Sequence, residues 1–531
     1  MSDVLLTTVC RPFGGNGEGD SVGAELFHAQ VTRSQGIFSY RQVIRCWGLD
    51  YIAENIEAPA VVLHYPSNRE FRREIRKRRY DTIGINFVVA TFHKVQRMVS
   101  IIRKNSPGSK IVLGGYGTVL SDDELRPFGD VICREEGIGF MRRLLGEKPD
   151  RPICHPYTPI DSPRVYSVPL KTKVAHITGG LGCPNGCDFC CTSHYFKRRY
   201  IPFIQSGREL YETMLMMERK AIEVGDSLSG FIFIDEDFFI HEKRAREFLD
   251  CIREGGVSPS IMGFGSVRGL SQFTANEIAE MGFDIIWTAF EGTNSGYKKL
   301  RGEKLDDLYH GLKSRGVAIL TSMIIGFPYQ DQKMVQSEFK QLMDLAPDLW
   351  QILIYFAFPG TPLHRKVLDE GRYLSAYRDQ PDYRRFDGFS MHFKHDHFKP
   401  EEIEDLQQAL YRKAFETLGP SLVRVMKTWF DGYLIMKSSS RPLLRQRAER
   451  MRGYVRSALP AIYPAIWFGP NRQRRAEARH FVEDIVKEFG SFTLKNRLEC
   501  WGTVPLSLWT WMKENLGLFQ QPRLLRREYR F

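Results

Sequence analysis

The sequence predicts an α/β protein in three parts: an N-terminal doubly wound, Rossmann-like domain, a partial (β/α)6 barrel of the TIM type, and a mostly helical C-terminal region. Three observations predict it. Short β-rich runs alternate with helix-period stretches twice over, first in residues 1–148 and again in 171–398. A proline-containing polar stretch, 149–170, separates the two series as a linker. From residue 399 to 531 the text is helical, basic and aromatic, broken by Pro460, Pro464 and Pro470. A chain of 531 residues can bury several cores, and 43% apolar with 26% charged residues excludes disorder as its main character.

In the first series the expected strands are 4–9, 60–65, 82–86, 110–113 and 130–133. Helical spacing covers 40–55, 67–79, 91–105 and 121–127. Ile111-Val112-Leu113 is a continuous apolar run, as suits a parallel strand buried on both faces. Ligands of such sheets lie beyond the C-terminal strand ends, and Gly114-Gly115 occupies one of these ends. The glycine-rich run from Gly14 to Gly19 does not fit G-x-G-x-x-G, so it reads as a loop near the ligand face.

In the second series the expected strands are 174–178, 230–235, 260–265, 285–291, 318–325 and 350–356. Helices are expected over 208–224, 241–254, 274–281 and 305–315. Six βα units of this spacing suggest a parallel barrel, whose chemistry collects at the C-terminal strand ends.

No run of eighteen apolar residues occurs and the mean hydropathy is −0.32, so no transmembrane helix is expected. The first residues lack the basic and apolar regions of a signal peptide. Ten cysteines are too sparse for a disulfide scaffold, which makes a reducing cytoplasm the expected location and metal or redox use their expected role. Charge is uneven: from Tyr411 onward there are 23 Lys and Arg against 10 Asp and Glu, so the net +12 belongs to the C-terminal region. Such a balance suits nucleic acid, an anionic membrane surface or an acidic substrate. Trp467, Trp501, Trp509 and Trp511 lie among its basic blocks. This composition fits a segment that meets lipid at an interface. It also fits a basic nucleic-acid surface. Peripheral membrane contact is the expectation taken, with no nucleic-acid partner. The region is also expected to be separable from the barrel.

The loop after the first barrel strand carries Cys183, Cys187 and Cys190 in the spacing C-x3-C-x2-C. Pro184, Asn185 and Gly186 permit the sharp turn that would bring three thiolates together. Thiolates suit zinc or an iron–sulfur cluster. Structural zinc wants a fourth ligand, and no matching CxxC or HxxxH follows nearby. Three cysteines on a [4Fe-4S] cluster would leave one iron open. Cys191 breaks the spacing and reads as a bystander.

This loop resembles that of the radical S-adenosylmethionine (SAM) superfamily: motif, aromatic Phe189 before the last cysteine, and position ahead of a six-fold βα series all agree. The resemblance implies that Cys183, Cys187 and Cys190 hold a [4Fe-4S] cluster, that SAM chelates the open iron, and that Phe189 lies near its adenine. It implies an electron donor such as flavodoxin or ferredoxin, and cleavage of SAM to a 5′-deoxyadenosyl radical. Asp235-Glu236-Asp237 stands where the family meets the SAM amino end, with Asp235 and Glu236 as candidates. Phe290-Glu291-Gly292 resembles a fourth-strand SAM contact through Glu291. Ile325-Gly326-Phe327-Pro328 resembles the turn beside the adenine, through Ile325 and Gly326, and Phe358 to Pro362 the closing loop.

Residues 40–145 are similar to the cobalamin (B12)-binding domain of one branch of that superfamily. The similarity rests on Asp81 to Ile85, on Gly114-Gly115 after the apolar strand, and on Glu135-Glu136-Gly137. It implies a cobalamin held by Asn86, Phe87, Gly114, Gly115 and Gly137. The D-x-H-x-x-G motif that supplies a cobalt-binding histidine is absent, and His28, His64 and His93 do not occupy it. The function implied is a cobalamin-dependent radical SAM enzyme, in this branch most often a methyltransferase, acting on an unactivated carbon of a small-molecule or lipid-like biosynthetic substrate. A ring-forming, oxidative or carbon–carbon coupling enzyme is the alternative within the class. A non-enzymatic iron–sulfur or zinc-binding module is the alternative outside it.

Overall fold

The computed structural model describes residues 3–14, 25–160, 164–169, 173–378, 381–491, 493–516, 518 and 521–530. The N-terminal sheet contains β1 (Val4–Thr8), β2 (Ala60–His64), β3 (Thr82–Asn86), β4 (Lys110–Gly114) and β5 (Val131–Ile132), in the order 2-1-3-4-5. All neighbouring pairs in this set are parallel. The chain order reverses between β1 and β3, the switch point at which doubly wound sheets open a crevice for a ligand. Buried Leu5, Val61, Ile83, Ile111 and Leu113 explain why these strands read as apolar runs: both faces are covered.

The barrel strands are β6 (Lys173–Thr178), β7 (Leu228–Ile234), β8 (Ile261–Phe264), β9 (Phe283–Glu291), β10 (Ala318–Ile325) and β11 (Leu349–Ile354). They pair in sequence order, all parallel, and β6 does not pair with β11, so the sheet is an open arc. Boundaries lie within three residues of those expected.

Four features depart from the sequence reading. The helix expected over 40–55 begins only at Trp47 and runs Trp47–Asn55. Upstream of it Arg41 forms an antiparallel bridge to Arg164, a long-range pairing that overrides local helix spacing. Residues 149–170 are not wholly irregular, since Arg164–Val165 and Val168–Pro169 form a short hairpin. The stretch from Glu25 to Ser39 leaves the first sheet and enters the barrel's company: Phe27 packs on Trp287, Gln30 bonds Gln351, and Arg33 sits over Phe389 at 4.0 Å.

The fourth departure is the C-terminal region, which is integral to both domains. Helix Pro442–Ile462 inserts Arg447 beneath the barrel, where it is fully buried and pairs with Asp284 at 2.8 Å. Gly432, on helix Ser421–Met436, touches Gly316 so closely that a Cβ on Gly432 would lie 2.4 Å from the Gly316 Cα. Beyond the last helix, β12 (Leu525–Tyr529) joins the N-terminal sheet antiparallel to β2. Arg526 there pairs with Glu74 at 2.9 Å, and Tyr529 donates 2.6 Å to Asp50. Several positive charges are thus committed to internal partners. The run Leu-Arg-Arg-Glu-Tyr carries no strong strand signal alone; it becomes a strand because β2 offers an open edge and acidic neighbours.

Candidate functional site

The cysteine loop leaves the C-terminal end of β6. Gly180–Leu181 and Ile201–Pro202 pair antiparallel and close its base. Gly182 has φ +85°, and a Cβ there would lie 2.2 Å from the Arg199 carbonyl, so only glycine fits. Ser193 Oγ donates to the Cys183 carbonyl at 2.8 Å and accepts the Gly186 N–H at 3.0 Å. Asn185 donates to Cys183 Sγ at 3.3 Å and to Asp237 Oδ2 at 3.2 Å, while Asp237 also accepts the Ser266 N–H at 3.0 Å. Asp237 is therefore the anchor that ties the loop to the ends of β7 and β8.

Cys183 and Cys187 are buried and Cys190 is partly so. Burial pushes the Cys187 thiol up to about 11 and the Cys190 thiol up to about 12, with Lys299 opposing both. A bound metal would supply the positive charge that thiolates need in this buried loop. Among the described residues no three His, Cys, Asp or Glu side chains converge on the position of a single metal ion. A [4Fe-4S] cluster takes its thiolates at separate iron corners, so a three-cysteine loop of this kind fits the wider footprint of a cluster. Cys191 stands near Glu236 and Cys190.

Around this loop the structure gathers the other candidates unequally. Phe189 lies against Tyr297 (5.5 Å) and Tyr355 (5.9 Å), with Lys299 Nζ 5.7 Å from its ring. Lys299 pairs with Glu291, which ends β9 in the left-handed region at φ +57°. Strain of this kind in a non-glycine residue marks a backbone held by its surroundings, here at a strand end facing the cysteines. One Glu291 oxygen is buried and unpartnered among the described residues, available to a ligand. Gly326, at φ +85°, turns the chain after Ile325, and Gln330 accepts both the Gly326 and Phe327 N–H groups at 2.7 and 2.9 Å.

Asp235 and Glu236 diverge. Asp235 is buried, accepts the Tyr200 hydroxyl at 2.6 Å and pairs with Arg244 at 3.0 Å. The Asp235 charge is thus answered inside the fold, by Tyr200 and Arg244. Glu236, just beyond β7, is the exposed one of the two acids. Desolvation by the surrounding protein, and next the Asp235 charge, push its carboxyl up to about 7, with Thr192 opposing.

A second cavity, of about 430 Å³, lies at the switch point of the first sheet. Asn86, Phe87, Gly114, Gly115 and Gly137 all line it. The two adjacent glycines play different parts. A Cβ on Gly114 would meet only Cys133 Cβ, at 4.0 Å, so this position is open toward the cavity. Gly115 has φ +87°, and a Cβ there would strike Asn86 at 2.6 Å and the Phe87 carbonyl at 2.7 Å. Gly115 is thus required by the protein backbone itself. Glu136 caps helix Gly137–Leu144, accepting the Gly139 N–H at 2.8 Å, which explains the acidic-glycine turn. Among the described lining residues none is a histidine, in keeping with the missing cobalt-ligand motif. A largely apolar crevice with an open glycine at its floor fits a flat macrocycle. Of the glycine-rich run near the N-terminus, Gly15 to Gly19 lie outside the described residues; Phe13, just before it, lines the cavity.

Sequence reading did not reveal Tyr116, Tyr195, Phe196 and Thr178, which line this cavity. Tyr195 bonds Thr118 at 3.1 Å and the Cys133 carbonyl at 3.0 Å, and its ring meets Tyr116 at 5.2 Å. It joins the end of the cysteine loop to the first sheet. Nor did it reveal Lys299 or the two tyrosines on Asp188. The only sequence signal for these residues is their closeness to strand ends.

No protein-family model matches the chain. It is 23% identical over 409 residues to an uncharacterised methyltransferase of Pyrococcus horikoshii, covering 70% of this chain and 86% of that protein. Among solved structures it is similar to the radical S-adenosylmethionine methyltransferase TsrM of Kitasatospora setae, with tryptophan and a SAM analogue bound (TM-score 0.54, 12% identity, 79% of this chain and 89% of that one). It is also similar to the cobalamin-dependent S-adenosylmethionine radical enzyme OxsB (TM-score 0.53, 12% identity, 98% and 82%). The fold, from the doubly wound domain through the open barrel, is therefore the one these enzymes share.

Proposed function

We propose that this chain is a cobalamin-dependent radical SAM enzyme that methylates an unactivated carbon of a small-molecule or lipid-like biosynthetic substrate. One observation carries the reading: the cysteine loop and the glycine-floored cavity share a wall, because Tyr195 and Phe196 follow the cysteines directly and also line that cavity. When bound, the cluster with SAM supplies a 5′-deoxyadenosyl radical and cobalamin supplies a methyl group.

The chain's own residues bind and orient. Cys183, Cys187 and Cys190 hold iron, on a loop locked by Asn185, Ser193 and Asp237. Glu236 accepts the SAM ammonium. Glu291 offers its unpartnered oxygen to the same ligand, its other oxygen being held by Lys299. Phe189 and the turn Ile325-Gly326-Phe327 flank the adenine. Asn86, Phe87, Gly114, Gly115 and Gly137 cradle the corrin, and Tyr116, Tyr195 and Phe196 shield the wall between the two sites from water. Electrons come from a flavodoxin or ferredoxin.

The test is anaerobic purification with reconstitution, then analysis for iron, cobalamin and SAM products. The expected result is about one [4Fe-4S] cluster per chain, lost in Cys183→Ala/Cys187→Ala/Cys190→Ala and kept in Cys191→Ala, with label passing from methyl-labelled SAM to product. Deoxyadenosine without methyl transfer would favour the ring-forming or oxidative reading. Stoichiometric zinc without iron would remove both.

A further inference from the structure

Helix Leu494–Asn515, the longest of the C-terminal helices, presents its apolar side outward. Leu494, Leu498, Trp501, Leu508, Met512 and Leu516 recur at intervals of three, four and seven residues and so share one face. Large apolar side chains on and just beyond this helix are 37% to 75% exposed, Trp509 and Trp511 among them. The face turned to the protein is made of small groups instead: Cys500, Ser507 and Thr510 are its buried residues. A helix in a water-soluble fold ordinarily shows the reverse arrangement. Trp467, in the short helix Ala465–Phe468, extends the patch, its ring 6.4 Å from Trp501.

The charges around this face are mainly positive. Lys495 and Arg497 are exposed on the helix, and Arg456 on helix Pro442–Ile462, which packs beside it. The exposed Glu499 lies 3.9 Å from Lys495, and the inward Glu514 faces Arg41 at 3.6 Å. No helix among the described residues is long and apolar enough to cross a membrane. A tryptophan- and leucine-rich stripe with a basic border is the pattern of a helix that lies in a lipid headgroup layer. A second copy of the chain would bring the same positive border against itself, whereas anionic headgroups neutralise it.

We propose that the outward face of helix Leu494–Asn515 docks the protein on an anionic lipid surface, lying in the interface without spanning it. The Trp501 and Trp509 rings enter the headgroup layer, and Lys495 and Arg497 meet its phosphates.

The test uses the full-length protein in flotation with vesicles of phosphatidylcholine alone or mixed with phosphatidylglycerol. The wild type should float with the mixed vesicles at low salt, with a blue shift of tryptophan fluorescence, and bind neutral vesicles more weakly. Trp501→Glu/Leu508→Glu/Met512→Glu should cut binding at least about tenfold, because it removes apolar area from the docking face. Its thermal midpoint should fall by only a few degrees, since the three side chains are 41% to 58% exposed and only Trp501 gives up ring contacts, to Tyr463 and Trp467. Lys495→Glu/Arg497→Glu provides a second, more soluble variant that should lose the preference for anionic vesicles. Failure of the wild type to float with anionic vesicles would overturn the proposal, as would floating of the triple variant to the wild-type extent. A wild-type dimer by light scattering that the triple variant converts to monomer would assign the face to a second copy instead.

Discussion

Tyr355 donates its hydroxyl to Asp188 across 2.7 Å, and Tyr297 donates to the other carboxylate oxygen across 2.6 Å. Asp188 sits between Cys187 and Phe189 on the first barrel loop, while the tyrosines follow β11 and β9. The open arc is thus closed at its top by two hydroxyl hydrogen bonds to one carboxylate, and the cysteine loop is held against the far side of the barrel.

Removing one of these bonds should loosen the loop without removing an iron ligand. Tyr355→Phe should retain iron after reconstitution but broaden the reduced cluster's electron paramagnetic resonance signal. It should lower stability by about 1.5–3 kcal/mol, the order expected for a hydrogen bond to a charged group. Asp188→Ala, which strands two hydroxyls, should cost more. An unchanged spectrum in both variants would show that the clamp does not position the cluster.

The two adjacent glycines separate ligand effects from folding effects. Gly114→Leu should keep the iron–sulfur spectrum and the fold but impair cobalamin uptake, because its side chain enters the cavity over open space. Gly115→Ala must adopt φ +87° and displace Asn86 and Phe87. It should destabilise the first domain by about 1–3 kcal/mol whether or not cobalamin is present. Thermal melts with and without cobalamin distinguish the two.

Arg447 is buried with Asp284 under the barrel, so cutting the chain at Arg441 should yield insoluble protein. Arg447→Ala should destabilise by about 3–5 kcal/mol, since it leaves the Asp284 carboxylate without its counter-charge. Chemical denaturation measures this. A soluble, cluster-binding fragment ending at residue 440 would contradict the packing.

Asp387 supplies a pH dependence. It is buried beside Arg33, and desolvation, set against the Phe389 N–H and the Arg33 charge, holds its carboxyl up at about 7. A carboxyl whose folded pKa lies above its unfolded value near 3.8 binds its proton more tightly in the fold. Its contribution therefore favours folding at low pH, declines as pH rises from about 4 to 7, and is gone above that. Asp387→Asn should flatten this part of the stability curve. At pH 8 it should stabilise the protein by up to about 4 kcal/mol, less whatever Arg33 loses with its partner. Denaturation midpoints of both proteins across pH 5 to 8 decide it.

What the sequence by itself determined is what depends on neighbours along the chain. Strand periodicity, the cysteine spacing, the turn residues Pro184, Asn185 and Gly186, and the glycine pair at the end of β4 are local, and each was legible because backbone geometry restricts which residues can stand there. The tertiary structure alone decided which distant groups surround them. Lys299 reaches the cysteine loop from more than a hundred residues away, Tyr355 grips Asp188 across 167 positions, and Tyr195 bridges two domains. Asp235 and Glu236 are adjacent in sequence, yet Asp235 is drawn into a buried ion pair with Arg244 while Glu236 stays exposed. The C-terminal arginines looked like a free basic tail, since charge is visible in sequence but its partner is not. Only folding shows that Arg447 neutralises Asp284 beneath the barrel and that residues 525–529 complete the first sheet's edge.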